Sequence, residues 1–183
     1  MARLRILTYP DPLLRQKSAP VVEFDGELHR LLDDMLETMY LAPGVGLAAP
    51  QVGVLRRLMI IDLSVGDETG KLMELVNPKI VELEGVEEAE EGCLSVPEYS
   101  AVVRRAATVR VRAQDRHGAW FERHVHGLEA RAVQHELDHL EGILFLDYLS
   151  PLKRDLAKRK LRKLKRDEET KPRARRSSGA PAL

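Results

Sequence analysis

The sequence predicts an α+β fold in which short antiparallel strands surround one functional helix. Two segments in which apolar and polar residues alternate lie on either side of a tight turn, and helical periodicity returns directly after them. Composition bounds the size of the folded unit, because the 183 residues are 44% hydrophobic and 32% charged. These values suit one globular domain with some surface extension.

The first predicted element is an amphipathic helix over residues 27–41. Asp25 precedes it as a suitable N-cap, and Pro43 and Gly44 end it. Its apolar face consists of leucine and methionine residues at helical spacing, namely Leu28, Leu31, Leu32, Met35, Leu36 and Met39.

Strands are predicted in the next part of the chain. Residues 57–63 form a short continuous apolar run, which is typical of a buried strand. Residues 73–83 have the composition of a second strand that is interrupted near Asn77 and Pro78.

A hairpin and a helix follow. The segments 106–114 and 119–127 each alternate apolar and polar residues, which predicts two half-buried strands. The sequence QDRHG between them is typical of a hairpin turn. Helical periodicity then returns over residues 128–140, in a segment that carries two histidines.

These two histidines are spaced for metal binding. His135 and His139 lie four residues apart, so they share one helix face and could hold a single metal ion. Glu136 points about 100° further around a helix of 3.6 residues per turn. It is near enough to act on water beside the metal without being a ligand. Leu128 and Ala132 continue the histidine stripe, which predicts that the stripe faces inward.

The same motif has an ordinary interpretation, in which two surface histidines lie beside a glutamate that forms a salt bridge. We prefer the metal interpretation because the stripe contains apolar residues, and buried imidazoles need a partner. Catalytic metal sites usually take three protein ligands and leave one position open. A third ligand therefore has to come from elsewhere in the chain.

The third ligand distinguishes between classes of HExxH enzyme. Many zinc metallopeptidases place a histidine six residues after the second one, where this chain has Phe145, although Gly142 matches their pattern. Others recruit a downstream glutamate, but none occurs between Glu141 and Glu168. A zinc metallopeptidase of the HExxH type remains the alternative function, and the missing ligand counts against it.

Cys93 is a candidate for this ligand. It is the single cysteine and lies in the stretch EEGCLSVPE. Gly92 lets the backbone approach another group closely, and Pro97 restricts the backbone that follows the cysteine. A thiolate is a good ligand for Zn²⁺ or Fe²⁺. A lone cysteine can equally be a small buried apolar residue, and this stretch alone does not decide between the two.

The stretch PGVGLAAPQVG, residues 43–53, is rich in small residues. It therefore exposes backbone amides and carbonyls to a ligand, although an ordinary flexible loop is the alternative. A phosphate-binding loop is a poor interpretation, because no Lys-Ser/Thr pair follows. Gln51 is the polar exception, and its carboxamide could donate to a developing oxyanion.

Together, the three stretches resemble the motifs of peptide deformylase. The family's motifs GxGLAAxQ, EGCLS and HExDH correspond to Gly44–Gln51, Glu91–Ser95 and His135–His139 without a departure. The early sequence YPDPLLRQKSAPV is also typical of the family, so the resemblance covers residues 4–165.

The resemblance implies a hydrolase that removes the N-formyl group from nascent chains beginning with formyl-methionine. It implies Fe²⁺ as the cofactor, with Zn²⁺, Ni²⁺ or Co²⁺ able to substitute, and antiparallel sheets around a central metal-binding helix. Cys93 is then the third ligand beside His135 and His139. Glu136 is the general base, while Gln51 and the backbone amide of Leu94 are the oxyanion donors.

A substrate pocket is expected between the helix stripe and the glycine-rich loop. Leu128 and Ala132 would contact the methionine side chain from one side and Val45 from the other, while Gly44 and Gly46 leave backbone free to pair with the peptide. The Arg131 side chain either lies at the rim of this pocket or extends into solvent from the helix surface, and we expect it at the rim.

Charge divides the chain into a catalytic domain over residues 1–149, a basic C-terminal helix over 150–167 and a disordered tail over 168–183. The net charge is +9 over residues 151–183 and −9 over 1–150. We expect the apolar stripe of the basic helix to pack onto the body, namely Leu152, Leu156, Leu161 and Leu164. The basic helix resembles the helix by which some bacterial deformylases contact the ribosome. We therefore expect contact with ribosomal RNA, although the charge also fits a solubilising tail or a catalytically silent RNA-binding relative.

The sequence also predicts a cytoplasmic monomer. Apolar runs fall well short of the roughly 20 residues that span a bilayer, and the N-terminal residues lack the apolar stretch of a signal peptide. A single cysteine excludes an intrachain disulfide and fits a reducing compartment.

Overall fold

This computed structural model describes residues 3–42, 44–67 and 71–170. They contain three helices and seven strands. In chain order they are α1 (Gly26–Leu41), β1 (Gly46–Ala48), β2 (Leu58–Ile61), β3 (Met73–Glu84), β4 (Glu87–Cys93), β5 (Val96–Arg105), β6 (Thr108–Gln114), β7 (Trp120–His126), α2 (Gly127–Leu140) and α3 (Pro151–Thr170). Short 3₁₀ turns occur at Pro12–Arg15, Ala49–Val52 and Phe145–Tyr148. This mixture confirms the predicted α+β class.

The strands form two antiparallel sheets. Five of them pair in the order β1-β2-β3-β6-β7, and β4 pairs with β5 through a two-residue turn at Leu94 and Ser95. Helix α2 lies against the large sheet, where Ala130, Val133 and Leu140 join a core built from β2, β3, β6 and β7. The helix is therefore central, as predicted.

Helix α1 forms as the sequence predicts. The Asp25 side chain accepts hydrogen bonds from the backbone amides of Glu27 and Leu28, which satisfies two donors of the first turn. The face buried in a second core consists of Leu28, Leu32, Met35 and Met39.

The predicted interruption of β3 is a β-bulge in a continuous strand. The register with β6 shifts between Val76 and Lys79, and Asn77 has a φ of 52°. The Asn77 carboxamide bonds both backbone groups of Val21, at 2.8 Å each, which anchors the N-terminal segment to the sheet.

Strands β4 and β5 were not predicted from the sequence pattern. Most of β4 is glutamate, so it lacks the alternation of apolar and polar residues that identifies a half-buried strand. Its backbone pairing with β5, from Glu87–Arg105 to Cys93–Val96, defines it instead.

Helix α3 begins at Pro151, as predicted, and extends to Thr170, beyond the predicted end at residue 167. The remainder of the expected tail, residues 171–183, lies outside the described part of the chain. Ala157 and Leu161 are buried in a third core, with Leu164 packed against it.

Leu152 and Leu156 are 72% and 57% exposed, so the prediction that they pack onto the body is wrong. Leu156 lies about 100° around the helix from Ala157, the residue that faces the third core. The contact face of α3 is therefore rotated from the leucine stripe that the sequence suggests.

Among the described helices, none combines the length and the apolar character needed to cross a membrane.

Candidate metal centre and active site

Helix α2 places both predicted histidine ligands in the interior. His135 and His139 are 8% and 2% exposed, and their rings meet edge to face with centroids 5.0 Å apart. Their spacing of four residues brings them to one helix face. The His135 ring stacks on Phe145 of the third core, with centroids 6.1 Å apart.

Cys93 joins them from the end of β4. Its Sγ lies 3.2 Å from His139 Nε2, and one donor atom from each of the three residues lies within 4.8 Å of the others. One thiolate and two imidazoles suit Zn²⁺ or Fe²⁺ and leave a position open in a tetrahedral arrangement. The donor set therefore fits a catalytic metal.

The two histidines differ in their surroundings. Burial lowers the pKa of His135, but Cys93 and Glu91 outweigh it and raise this pKa well above its usual value. His135 Nδ1 lies 3.0 Å from Glu91 Oε2, which leaves Nε2 for a metal ion. Burial lowers the pKa of His139 well below its usual value, so its imidazole is neutral and has a lone pair to donate.

Two arginines hold Glu91 in place. Arg105 donates from Nε to Glu91 Oε1 at 2.5 Å and from Nη2 to Oε2 at 3.0 Å, and Arg131 Nη1 donates to Oε1 at 2.7 Å. Burial raises the pKa of Glu91, but His135 and Arg105 outweigh it and lower this pKa to about 2. Glu91 is therefore a fixed carboxylate behind His135.

The structure corrects the placement of Arg131. Its side chain is buried and also donates to the backbone carbonyls of Glu87 and Val103, at 3.0 and 2.9 Å. The guanidinium thus ties α2 to β4 and β5, and it neither rims a pocket nor solvates the helix.

The supporting roles of Glu91, Arg105 and Asp138 were not predicted. Glu91 and Cys93 lie two residues apart on β4, a spacing that places them on the same face of a strand. Arg105 comes from β5 and bonds Asp138 Oδ2 at 2.8 Å. The unpredicted pairing of β4 with β5 is what brings it there.

Glu136 lies beside the three ligands but outside the cluster. It is 5% exposed, and its Oε2 has no hydrogen-bond partner among the described residues. Burial raises the pKa of Glu136 to about 7. A buried carboxylate with a free oxygen and this pKa can exchange a proton near neutral pH.

The glycine-rich stretch packs directly against Glu136. A Cβ at Gly46 would lie 2.6 Å from Glu136 Oε1. A Cβ at Gly44 would lie 2.7 Å from the Leu94 side chain. Both glycines are buried, so this stretch is a fitted wall of the site rather than a flexible loop.

Gln51 is oriented toward the cluster. Its Oε1 accepts the backbone amide of Ala48 at 2.8 Å, and its Nε2 lies 3.6 Å from Cys93 Sγ and 3.2 Å from Ser95 Oγ. The donor end of the carboxamide is therefore the end next to the Cys93 sulfur. Leu94 follows Cys93 directly, in the turn between β4 and β5.

The predicted substrate contacts differ in exposure. Ala132 is 7% exposed and lies with the histidines on the inward face, whereas Leu128 is 59% exposed. The expectation that Leu128 is buried in the histidine stripe is therefore wrong. Val45, at 36%, is also partly open to solvent.

Comparisons with known proteins identify the family of this chain. A model of the polypeptide deformylase family matches residues 3–155. The peptide deformylase of Acidobacterium capsulatum is 51% identical over 164 residues, which cover 90% of this chain and 96% of that protein. A crystal structure of a peptide deformylase from Legionella pneumophila matches with a TM-score of 0.87 and 50% identity, over 93% of this chain and 100% of that one. The peptide deformylase of Ehrlichia chaffeensis, in complex with actinonin, matches with a TM-score of 0.84 and 38% identity, over 91% and 99% of the two chains.

Proposed function

The chain belongs to the polypeptide deformylase family, and from this premise we propose that Cys93, His135 and His139 hold one Fe²⁺ ion. Peptide deformylase is a metal-dependent hydrolase that removes the N-formyl group from the formyl-methionine of newly synthesised proteins and releases formate. The observation that carries the residue assignment is the cluster of one cysteine sulfur and two imidazoles, beside a Glu136 oxygen that has no hydrogen-bond partner among the described residues.

Iron is proposed because a thiolate with two imidazoles is a borderline-soft donor set, and Zn²⁺, Ni²⁺ or Co²⁺ suit the same ligands. When bound, the ion supplies a Lewis acid that polarises the formyl carbonyl and makes water acidic. Formate release from formyl-Met-Ala-Ser by anaerobically purified protein, with its metal content measured, tests the function and the ion together.

Glu136 is the residue that moves the proton. Its carboxylate accepts a proton from the attacking water, and it then passes this proton to the amine that leaves. The raised pKa of Glu136, about 7, makes both transfers accessible near neutral pH. Its free Oε2 is the atom that we assign to this task.

Gln51 and the Leu94 amide are the proposed donors to the oxyanion. The Ala48 amide fixes the Gln51 carboxamide, so Nε2 is held ready for the developing charge. Losing one such donor typically costs about 10²–10³ in rate.

The substrate pocket is proposed to use Gly44, Val45, Gly46, Leu128 and Ala132. The two exposed apolar residues, Val45 and Leu128, offer surface for a methionine side chain, and the glycines bring the backbone close to the substrate. Arg131 is left out of this set because its donors are engaged by Glu91 and by backbone carbonyls.

The alternative of a zinc metallopeptidase loses its support. Phe145 stands where those enzymes carry a third histidine, and its buried ring stacks on His135 with centroids 6.1 Å apart. A catalytically silent relative is also unsupported, since Glu136 and Gln51 are both present and suitably oriented.

A test of the glycine wall follows from the contact of Gly46 with Glu136. We expect Gly46→Ala to lower kcat/KM for a formyl-peptide by about 10²-fold, because the new Cβ displaces the Glu136 carboxylate. Gly26→Ala is the control, since its Cβ meets only the end of Arg30 at 3.6 Å. Equal activity of both variants and the wild type would show that the Glu136 position is not critical.

We further propose that the enzyme is a cytoplasmic monomer that contacts ribosomal RNA through α3. Nascent chains are its substrates, and an exposed row of cations on α3 fits a polyanion near the site where these chains emerge. The anchoring of α3 supports this placement, because Ala157 and Leu161 hold one face to the body while the charged faces stay in solvent.

The α3 variant, Arg159→Gln with Arg162→Gln and Arg166→Gln, tests this contact. We expect cosedimentation with ribosomes to weaken at least about tenfold, and the salt slope to fall by about one per cation removed. Formate release should stay within about threefold, because none of these residues lies in the site. These substitutions are preferable to a deletion of α3, because the deletion would expose the third core. That core includes Phe145, which stacks on His135.

The body control is Arg30→Gln with Arg104→Gln and Arg123→Gln, three exposed arginines outside α3. It removes the same charge and should bind ribosomes nearly as the wild type does. Equal losses in both variants, or binding that is insensitive to salt, would exclude a specific role for α3.

A further inference from the structure

A cationic cavity lies apart from the metal centre, where the chain leaves α2 at Glu141. Its volume is about 680 Å³, and its lining includes Lys17, Ser18, Arg57, Lys79, Arg112 and Trp120. None of the residues proposed for catalysis, metal binding or substrate binding lines it. It is therefore a separate feature of the surface.

The charge of this cavity is only partly compensated. Glu141 pairs with Lys17 at 2.7 Å and with Arg57 at 2.6 Å. Within the described part of the chain, Lys79 and Arg112 form no ion pair; Glu122 of β7 lies opposite Arg112, but its carboxylate pairs with Arg110 at 3.5 Å. One carboxylate among four cations leaves a net charge of +3 on the lining.

The β3 bulge creates an unfavourable pair. After the register shift, Lys79 lies directly opposite Arg112 on the neighbouring strand β6. Like charges in this position destabilise a sheet. The bulge itself is fixed, because Asn77 bonds Val21 and also donates to Gln114 Oε1 at 2.8 Å. A rigid site that holds two cations against each other is suited to an anion.

An aromatic side chain adjoins the two cations. Trp120 on β7 stacks with Arg112, whose guanidinium lies 4.8 Å from the ring centroid, and Trp120 is still 54% exposed. An exposed indole beside unpaired cations can stack on an unsaturated ring while the cations hold a phosphate.

Ser18 contributes a buried hydroxyl to the wall of the cavity. It lines the cavity and is 3% exposed, yet its Oγ has no hydrogen-bond partner among the described residues. Buried hydroxyls usually have a partner. A change of the Ser18 rotamer would turn this hydroxyl toward the cavity, where an anionic oxygen can accept its hydrogen bond.

We propose that this cavity binds single-stranded RNA, with a phosphate held by Lys79 and Arg112 and a base stacked on Trp120. Single strands are required because only an unstacked base presents its face to an aromatic side chain. The site provides a second contact with RNA, distinct from α3, and it does not depend on the ribosome contact proposed for that helix.

The single tryptophan of the chain reports on this site directly. Titration of the metal-loaded enzyme with an oligoadenylate of about six nucleotides should quench Trp120 fluorescence as the base stacks. Binding should weaken with salt, with a log–log slope of about −0.7 per phosphate contact.

Lys79→Gln with Arg112→Gln should weaken this binding at least about tenfold and reduce the salt slope. Arg104→Gln with Arg123→Gln is the matched control, because it removes two exposed arginines that do not line the cavity. Formate release should be unchanged in all of these variants, which verifies that they fold.

The α3 variant distinguishes RNA binding in the cavity from ribosome contact through α3. It should keep the quenching by oligoadenylate even where it has lost ribosome binding. Quenching that disappears in the α3 variant, or that persists unchanged in the Lys79 and Arg112 double variant, would overturn the cavity as an RNA site. Equal affinity for AMP or inorganic phosphate would also overturn it, in favour of a small anionic ligand.

Discussion

Glu136→Gln should lose about 10²–10⁴-fold in formate release while it still binds one metal ion per chain. The amide has nearly the shape of the carboxylate but cannot accept the proton. Glu136 also lies off the helix face that carries His135 and His139, so the three proposed ligands remain in place. Metal analysis of the purified variant, beside its kcat and KM, measures both parts of this expectation.

The comparison with Glu141→Gln makes the result specific. Glu141 follows α2 directly, but it forms ion pairs with Lys17 and Arg57 away from the metal centre. This control should keep most of the activity. Loss of metal from Glu136→Gln would identify Glu136 as a ligand, and the proposed proton transfer would then be wrong.

Cys93→Ser should release the metal and lose activity with it. A neutral hydroxyl is a much weaker ligand than a thiolate. Even the loss of a residue that only hydrogen-bonds a metal ligand costs about 10–100-fold in metal affinity. Cys93→Asp would keep a charged oxygen ligand, so we expect partial retention with a shifted metal preference. Metal content after dialysis against a chelator, measured for both variants and the wild type, gives the order of retention.

Thiol accessibility provides a second test of the same ligand. A thiolate bound to the metal should resist a maleimide in the loaded enzyme and react once the metal is removed. Rapid labelling of Cys93 with the metal still bound, or full metal retention by Cys93→Ser, would exclude it from the ligand set.

The arrangement around Glu91 explains how so many charges can be buried together. Arg105 links Glu91 to Asp138, and Arg131 links it to the backbone of β4 and β5. Each charge of this network thereby has a partner, which offsets the large cost of removing it from water. The same network fixes the ring of His135 through its Nδ1, so the small β4–β5 sheet positions both the thiolate and one imidazole.

The sequence by itself determined the features that depend on local periodicity. Helices α1 and α2, the β6–β7 hairpin and the pairing of His135 with His139 follow from spacings of a few residues, and the structure has all of them. The position of Glu136 outside the ligand cluster also follows from helix geometry alone. Motif resemblance then added Cys93, a residue that no local spacing connects to the histidines.

Only the tertiary structure decided the features that join distant segments. Strand β4 has no apolar alternation, so Glu91 could not be connected with Arg105 of β5 or Arg131 of α2 before β4 and β5 were paired. The exposure of Leu128, Leu152 and Leu156 depends on what each helix packs against, and apolar spacing marks a stripe without saying which part of it is covered. The cationic cavity likewise depends on a bulge that places Lys79 opposite Arg112. A local pattern specifies which backbone conformation a segment favours, whereas a partner far along the chain is chosen by the packing and charge of the whole fold.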